Sequence, residues 1–186
     1  MPWNQASSLP SQSFVCGHCG HTVGAHLGWH EQRGIGIGAI YICPHCDRPT
    51  YFGQSQGKRT PGALIGNSVE NVPPDVKALY EEGRRCCSSS AFTAAVLVCR
   101  KLLMNVAVSV GARPNQSFMS YVEYLANNGY VPPNGKGWVD HIRKKGNEAT
   151  HEILVMTESD AKDLIGFSEM LLKFIYEFPS RVPTSP

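Results

Sequence analysis

The chain has 186 residues, 42% hydrophobic and 17% charged, with a formal net charge of +2. That length suits one core of ordinary size, or one core plus a small stapled module. Lys/Arg stand against Asp/Glu at four to three up to Pro73 and thirteen to twelve after it, which excludes nucleic-acid binding through bulk charge and leaves only a local patch.

Residues 1–13 are polar and rich in Pro and Ser, with neither the charged start nor the apolar core of a signal peptide. They are expected to be disordered. The seven cysteines, an odd number without such a signal, point to a reducing compartment, and the expected location is cytoplasmic. Residues 14–53 concentrate Cys, His and Gly, and residues 54–73 read as a turn-rich linker. From Pro74 the pattern is helical. Pro74 and Asp75 suit a first turn, with Val76, Leu79 and Tyr80 on one stripe. Ala91–Val110 is long enough for a membrane span, but Arg100 and Lys101 at its middle would each cost at least about 2.5 kcal/mol there. A buried helix ending at Gly111 is predicted instead, with no membrane partner. A third helix covers about Ser117–Asn127, and a fourth starts near Asn134 or Gly137 with Val139 and Ile142. The last follows Thr157 or Ser159 as N-cap, carries Leu164, Phe167, Leu171, Phe174, Ile175 and Phe178, and stops at Pro179. The expected fold class is mainly α: an antiparallel bundle over residues 74–178, a small β module over 14–53 and a tail at 179–186.

The β module carries two CxxC pairs, Cys16-Gly-His-Cys19 and Cys43-Pro-His-Cys46, with twenty-three residues between them. A two-residue gap lets both thiolates of one tight turn face one ion, so two such turns complete a tetrahedral shell. The spacing predicts a structural Zn2+ held by Cys16, Cys19, Cys43 and Cys46. Ile35, Ile37 and Ala39–Ile42 read as a strand, with Thr50–Phe52 as its return. His18 and His45 occupy equivalent places in the two turns and are the alternative ligands. His21, His26 and His30 read as exposed loop residues. Cys86, Cys87 and Cys99 read as small core residues of the helices. Zinc ribbons bind nucleic acid or protein, or only brace a fold, and the spacing does not choose among these.

The second motif is the stretch Arg143–Glu152, RKKGNEATHE. On a continuous helix Arg143, Asn147 and His151 fall within about 80° of one another over about 12 Å. Arg offers a planar fork to a phosphate, His can move a proton near neutral pH, and Asn can orient either. Alternatively Gly146 ends one helix and Asn147 caps the next, a joint that also favours an anion. A purely structural joint remains the third possibility. Arg100, inside an apolar helix, is expected to need an acidic or carbonyl partner.

The order PxDVxxLYEEGxxC, AAxLxxRKLL, IRxxGNEATH and TESDAxxL, over about residues 72–178, resembles the bacterial HEPN-like helical domain of unknown function. That domain also occurs as a module in Type I restriction-enzyme helicase subunits. The resemblance implies a helical bundle that dimerises, set in bacteria–phage conflict as a defence or counter-defence factor. Active HEPN proteins cut RNA without metal through an Arg-x(4–6)-His motif. Carried over, Arg143 would hold the phosphate, His151 would serve acid–base or oxyanion chemistry, and Asn147 would assist. Here seven residues separate Arg143 from His151 and Lys144 replaces the usual polar partner. The leading expectation is therefore a binding module for RNA, DNA or a protein partner of a defence system. A metal-independent endoribonuclease and a structural adaptor with a degenerate site are the alternatives.

Overall fold

The computed structural model describes residues 3–31, 38–53, 59–132, 135, 137–142 and 155–182. The chain divides into two compact units: Met1–Leu64 with Ser88–Ser90, and Ile65–Cys87 with Ala91–Pro186.

The first unit is built on a five-stranded antiparallel sheet. Its strands are β1 (Ser7–Val15), β2 (Thr22–His30), β3 (Ala39–Ile42), β4 (Pro49–Phe52) and β5 (Arg59–Thr60), neighbours in chain order. β2 shows the period of two that one covered face imposes: Val23 and Ala25 are buried while Thr22, Gly24 and His26 are exposed. Phe14, Val23, Ala25 and Tyr41 form a small core with Cys16 and Cys43. The Phe52 ring meets Phe14 edge-on at 5.1 Å and Tyr41 at 5.4 Å.

Two expectations are corrected here. The chain is not mainly α but mixed, with 48% helix and 18% strand. Nor is the described part of the expected disordered lead, residues 3–13, without structure: β1 begins at Ser7 and pairs with β2 from Ser7↔Gly28 to Val15↔Thr22, with an irregularity between Ser8 and Gln12. Trp3 Nε1 donates to the Asp47 carbonyl at 2.8 Å, and its ring packs edge-on against Trp29 at 5.7 Å. The Tyr41 hydroxyl donates to the Pro10 carbonyl at 3.0 Å. Ser, Pro and Gln have weak strand preference, and what makes this segment a strand is the partner it pairs with. His26 and His30 lie on β2 rather than in a loop. Ile35 and Ile37 lie outside the described residues.

The second unit holds α1 (Pro74–Ser88), α2 (Phe92–Ser109), α3 (Phe118–Asn127), a helical stretch over residues 137–142, and α4 (Glu158–Leu172). α4 runs on through a π-helical turn, Lys173–Glu177, into α5 (Phe178–Arg181), so Pro179 opens a short helix where a stop was expected. α2 is long and apolar enough to cross a membrane by length and composition. Here it buries Ala95, Val96, Cys99, Leu102, Leu103, Val106 and Ala107 against the bundle, the role its periodicity predicts. Ser117 caps α3 by accepting from Ser120 N at 3.1 Å. Thr157 and Asp160 form a reciprocal capping box at α4. Buried Arg84 ties the chain ahead of α1 to the bundle. Its Nε and Nη2 donate to the carbonyls of Ile65 and Gly66 at 2.8 and 2.7 Å, and Nη1 pairs with Glu81 at 2.9 Å.

Candidate metal centre

Strand pairing explains why the four cysteines meet. Residues 16–21 turn β1 into β2, and residues 43–48 turn β3 into β4. In an antiparallel meander alternate turns fall at one end, and β2–β3 pairing sets the two hairpins side by side. The turns share one hydrogen-bond plan. Gly20 N donates to Cys16 O at 2.8 Å and Asp47 N to Cys43 O at 2.9 Å. Cys16 N donates to His21 O at 2.9 Å and Cys43 N to Arg48 O at 3.0 Å. Gly20 (φ 76°) and Asp47 (φ 55°) fill matching left-handed positions, a conformation Gly adopts freely and Asp tolerates.

All four sulfurs lie within 4.8 Å of one another. Cys16 Sγ is 3.8 Å from Cys46 Sγ, and Cys19 Sγ is 3.9 Å from Cys43 Sγ. A tetrahedral ion with metal–sulfur bonds of about 2.3 Å spaces its sulfurs about 3.8 Å apart, so the residues fit a zinc-like ion. His18 N donates to Cys16 Sγ at 3.4 Å, as expected of a turn that supports a thiolate. All seven cysteines are free thiols.

The thiols also show why this cluster favours a cation. Burial, reinforced by neighbouring sulfurs, raises Cys16 and pushes Cys46 up to about 12. At Cys43 burial acts the same way, but hydrogen bonds from the backbone N–H groups of Cys46 and His45 and from the Cys16 and Cys46 thiols together outweigh it and lower the pKa. Four thiolates packed this closely cannot all ionise unless a cation neutralises them.

The histidines divide. His18 Nε2 donates to the Pro49 carbonyl at 2.9 Å, which turns that ring away from a ligand role through the same nitrogen. His21 and His45, on different hairpins, stack face to face with centroids 3.7 Å apart. The sequence marks His18 and His45 as matched positions, but the stack pairs His21 with His45. That pairing depends on how the hairpins lie together, and no spacing along the chain reveals it.

In the helical unit, Arg100, Phe118, His141, Asp160 and Asp163 border a cavity of about 10 Å³, room for about one water. His141 Nε2 lies 3.0 Å from Asp163 Oδ2. The Arg100 guanidinium sits 4.6 Å over the Phe118 ring, and burial lowers its pKa. This cation–π contact is a partner that the sequence pattern around Arg100 does not signal. Cys99 is enclosed, and burial pushes its thiol up to about 12, which suits the structural role expected of it. Arg143, Asn147 and His151 lie outside the described residues.

No curated protein and no solved structure matches the chain. A family model does match, over residues 81–185, from the middle of α1 through the helical unit, leaving the sulfur cluster outside it. That match spans more than half of the sequence, and the chain belongs to the family described as Domain of unknown function (DUF4145).

Proposed function

We propose that the chain is a zinc-braced binding module: a four-cysteine ribbon ahead of a HEPN-like helical bundle that engages nucleic acid or a protein partner in bacteria–phage conflict. The observation that carries this reading is the sulfur cluster, with paired sulfurs 3.8 and 3.9 Å apart. Cys16, Cys19, Cys43 and Cys46 would fill all four positions of Zn2+, and a closed thiolate shell braces a fold without activating water. The ion's contribution is folding free energy for a unit whose own core is small. Binding is then left to the surfaces of the ribbon and the bundle. The free cysteines support a reducing, cytoplasmic setting.

The bundle is proposed to form a homodimer. Phe174 and Phe178, whose rings meet edge-on at 5.4 Å, are 41% and 44% exposed, and Val182, just past the helix end, is 67% exposed, which leaves an apolar surface at this end of the helix. Light scattering is expected to give twice the chain mass, and a monomer at high micromolar concentration excludes the dimer.

The test of function is affinity purification of the full chain with analysis of metal, nucleic acid and protein. About one zinc per chain with a saturable partner is expected, since one tetrahedral site uses all four thiolates. Zinc-free protein with an intact sheet, or zinc-loaded protein that retains no partner, overturns the reading. RNA cleavage that survives chelation and is abolished by His151→Ala would assign the ribonuclease instead, because loss of acid–base chemistry lowers turnover more than binding.

A further inference from the structure

Beside the four-sulfur cluster stands a second set of donors. The Cys19 sulfur and one ring nitrogen each of His21 and His45 lie within 4.8 Å of one another. We propose that Cys19, His21 and His45 form a second, solvent-facing transition-metal site that shares the Cys19 sulfur with the first.

Four features lead there. The donor set is one thiolate and two imidazoles, which suits divalent ions of borderline softness such as Zn2+, Co2+ and Ni2+. The two rings already lie together at 3.7 Å, and because imidazole binds an ion in its ring plane, one exposed ring turns out of the stack when an ion joins them. His21 Nδ1 donates to the Cys19 carbonyl at 3.1 Å, the kind of outer bond that fixes tautomer and ring angle beside a metal. Finally, four thiolates around one divalent ion carry a net charge of about −2, and a thiolate keeps lone pairs after binding one metal, so Cys19 favours a second cation.

The two sites differ in access. Cys16 and Cys43 are fully buried, Cys19 is half-buried, and His21 and His45 are exposed. Three protein ligands leave a coordination position open to solvent or an incoming chelate. An ion captured there is one shared sulfur from the closed site, a route by which metal enters or leaves a shell that has no opening of its own.

This inference rests on the zinc reading above, and the experiment separates the two. Full-length protein with its first metal loaded and counted is titrated with Co2+ while retained zinc is measured. A thiolate-to-cobalt absorption band that saturates near one equivalent without zinc loss is expected. His21→Ala and His45→Ala, both exposed, are each expected to weaken that binding at least tenfold while leaving the first zinc in place. No band, a band matched by equal loss of zinc, or weakening below tenfold in either variant overturns the second site. Failure to find the first zinc overturns the zinc reading instead.

Discussion

Gly17 admits no side chain, because a Cβ there would collide with the carbonyl oxygen of Gly62. Gly17→Ala is expected to shift the first hairpin turn, destabilise the β unit by about 1–3 kcal/mol as overpacking does, and lower zinc retention on dialysis. Thr50 is the opposite case. It is fully buried on β4, and its hydroxyl is the one buried side-chain oxygen without a hydrogen-bond partner among the described residues. Removing an unsatisfied hydroxyl relieves a desolvation penalty. Thr50→Val is expected to leave the β unit unchanged or stabilise it by up to about 1 kcal/mol, measured by thermal melting of the zinc-loaded protein; a clear loss would mean that the hydroxyl has an undetected role.

Among the elements, α4 carries the clearest local signals. Its capping box sets Thr157 Oγ1 to accept from Asp160 N at 3.2 Å, while Asp160 accepts from Thr157 N at 2.8 Å. Thr157→Ala is expected to cost about 1 kcal/mol, read as a lower denaturation midpoint at unchanged slope. Farther along α4, Glu169 accepts from Asn67 N and Nδ2, both at 2.9 Å, and pairs with Lys173. Burial opposes its charge, but these partners outweigh it and hold the carboxyl below the ordinary glutamate range. The folded pKa lies below the unfolded one, so the stabilisation is complete above the ordinary glutamate pKa and is lost as pH falls through the folded value. Glu169→Gln is expected to lower stability at neutral pH and flatten the acid limb of the stability curve; an unchanged limb would show that Glu169 is not the titrating group. Such features explain why the helices were legible. Caps, periods and terminal residues are local: they placed Pro74 and Ser117 at helix starts and narrowed the last N-cap to Thr157 or Ser159, of which Thr157 is the cap. β1 was not legible, because its Ser, Pro and Gln signal nothing until β2 lies beside them. Four ligands of the candidate site could be read because the CxxC gap is itself the geometry, whereas the His21–His45 stack exists only after folding.

At the scale of the whole molecule, the two units draw on different sources of stability. The helical unit has a continuous aliphatic and aromatic core around Leu102, Leu103, Ile165, Phe167 and Leu171. The β unit's core is Phe14, Val23, Ala25 and Tyr41 with the two buried cysteines Cys16 and Cys43. Removal of the proposed zinc by a strong chelator is expected to abolish the sheet while most helical circular dichroism persists, and Cys43→Ser to do the same without chelator. Concerted loss of both would show that the helical unit depends on the metal.

The hairpins have one more consequence, for how this chain can change. Two ligands come from each hairpin, so a bound ion ties Cys16–Cys19 to Cys43–Cys46 across the β2–β3 connection, where Glu31 N still bonds Gly38 O at 2.9 Å. The ion fixes the hairpins at their other end, so the length of that connection matters little: closure entropy grows only with the logarithm of loop length. Ten extra residues between Glu31 and Gly38 would cost under about 1 kcal/mol by that relation. A lineage, or an engineer, could therefore lodge a new recognition loop between β2 and β3 without disturbing the four sulfurs.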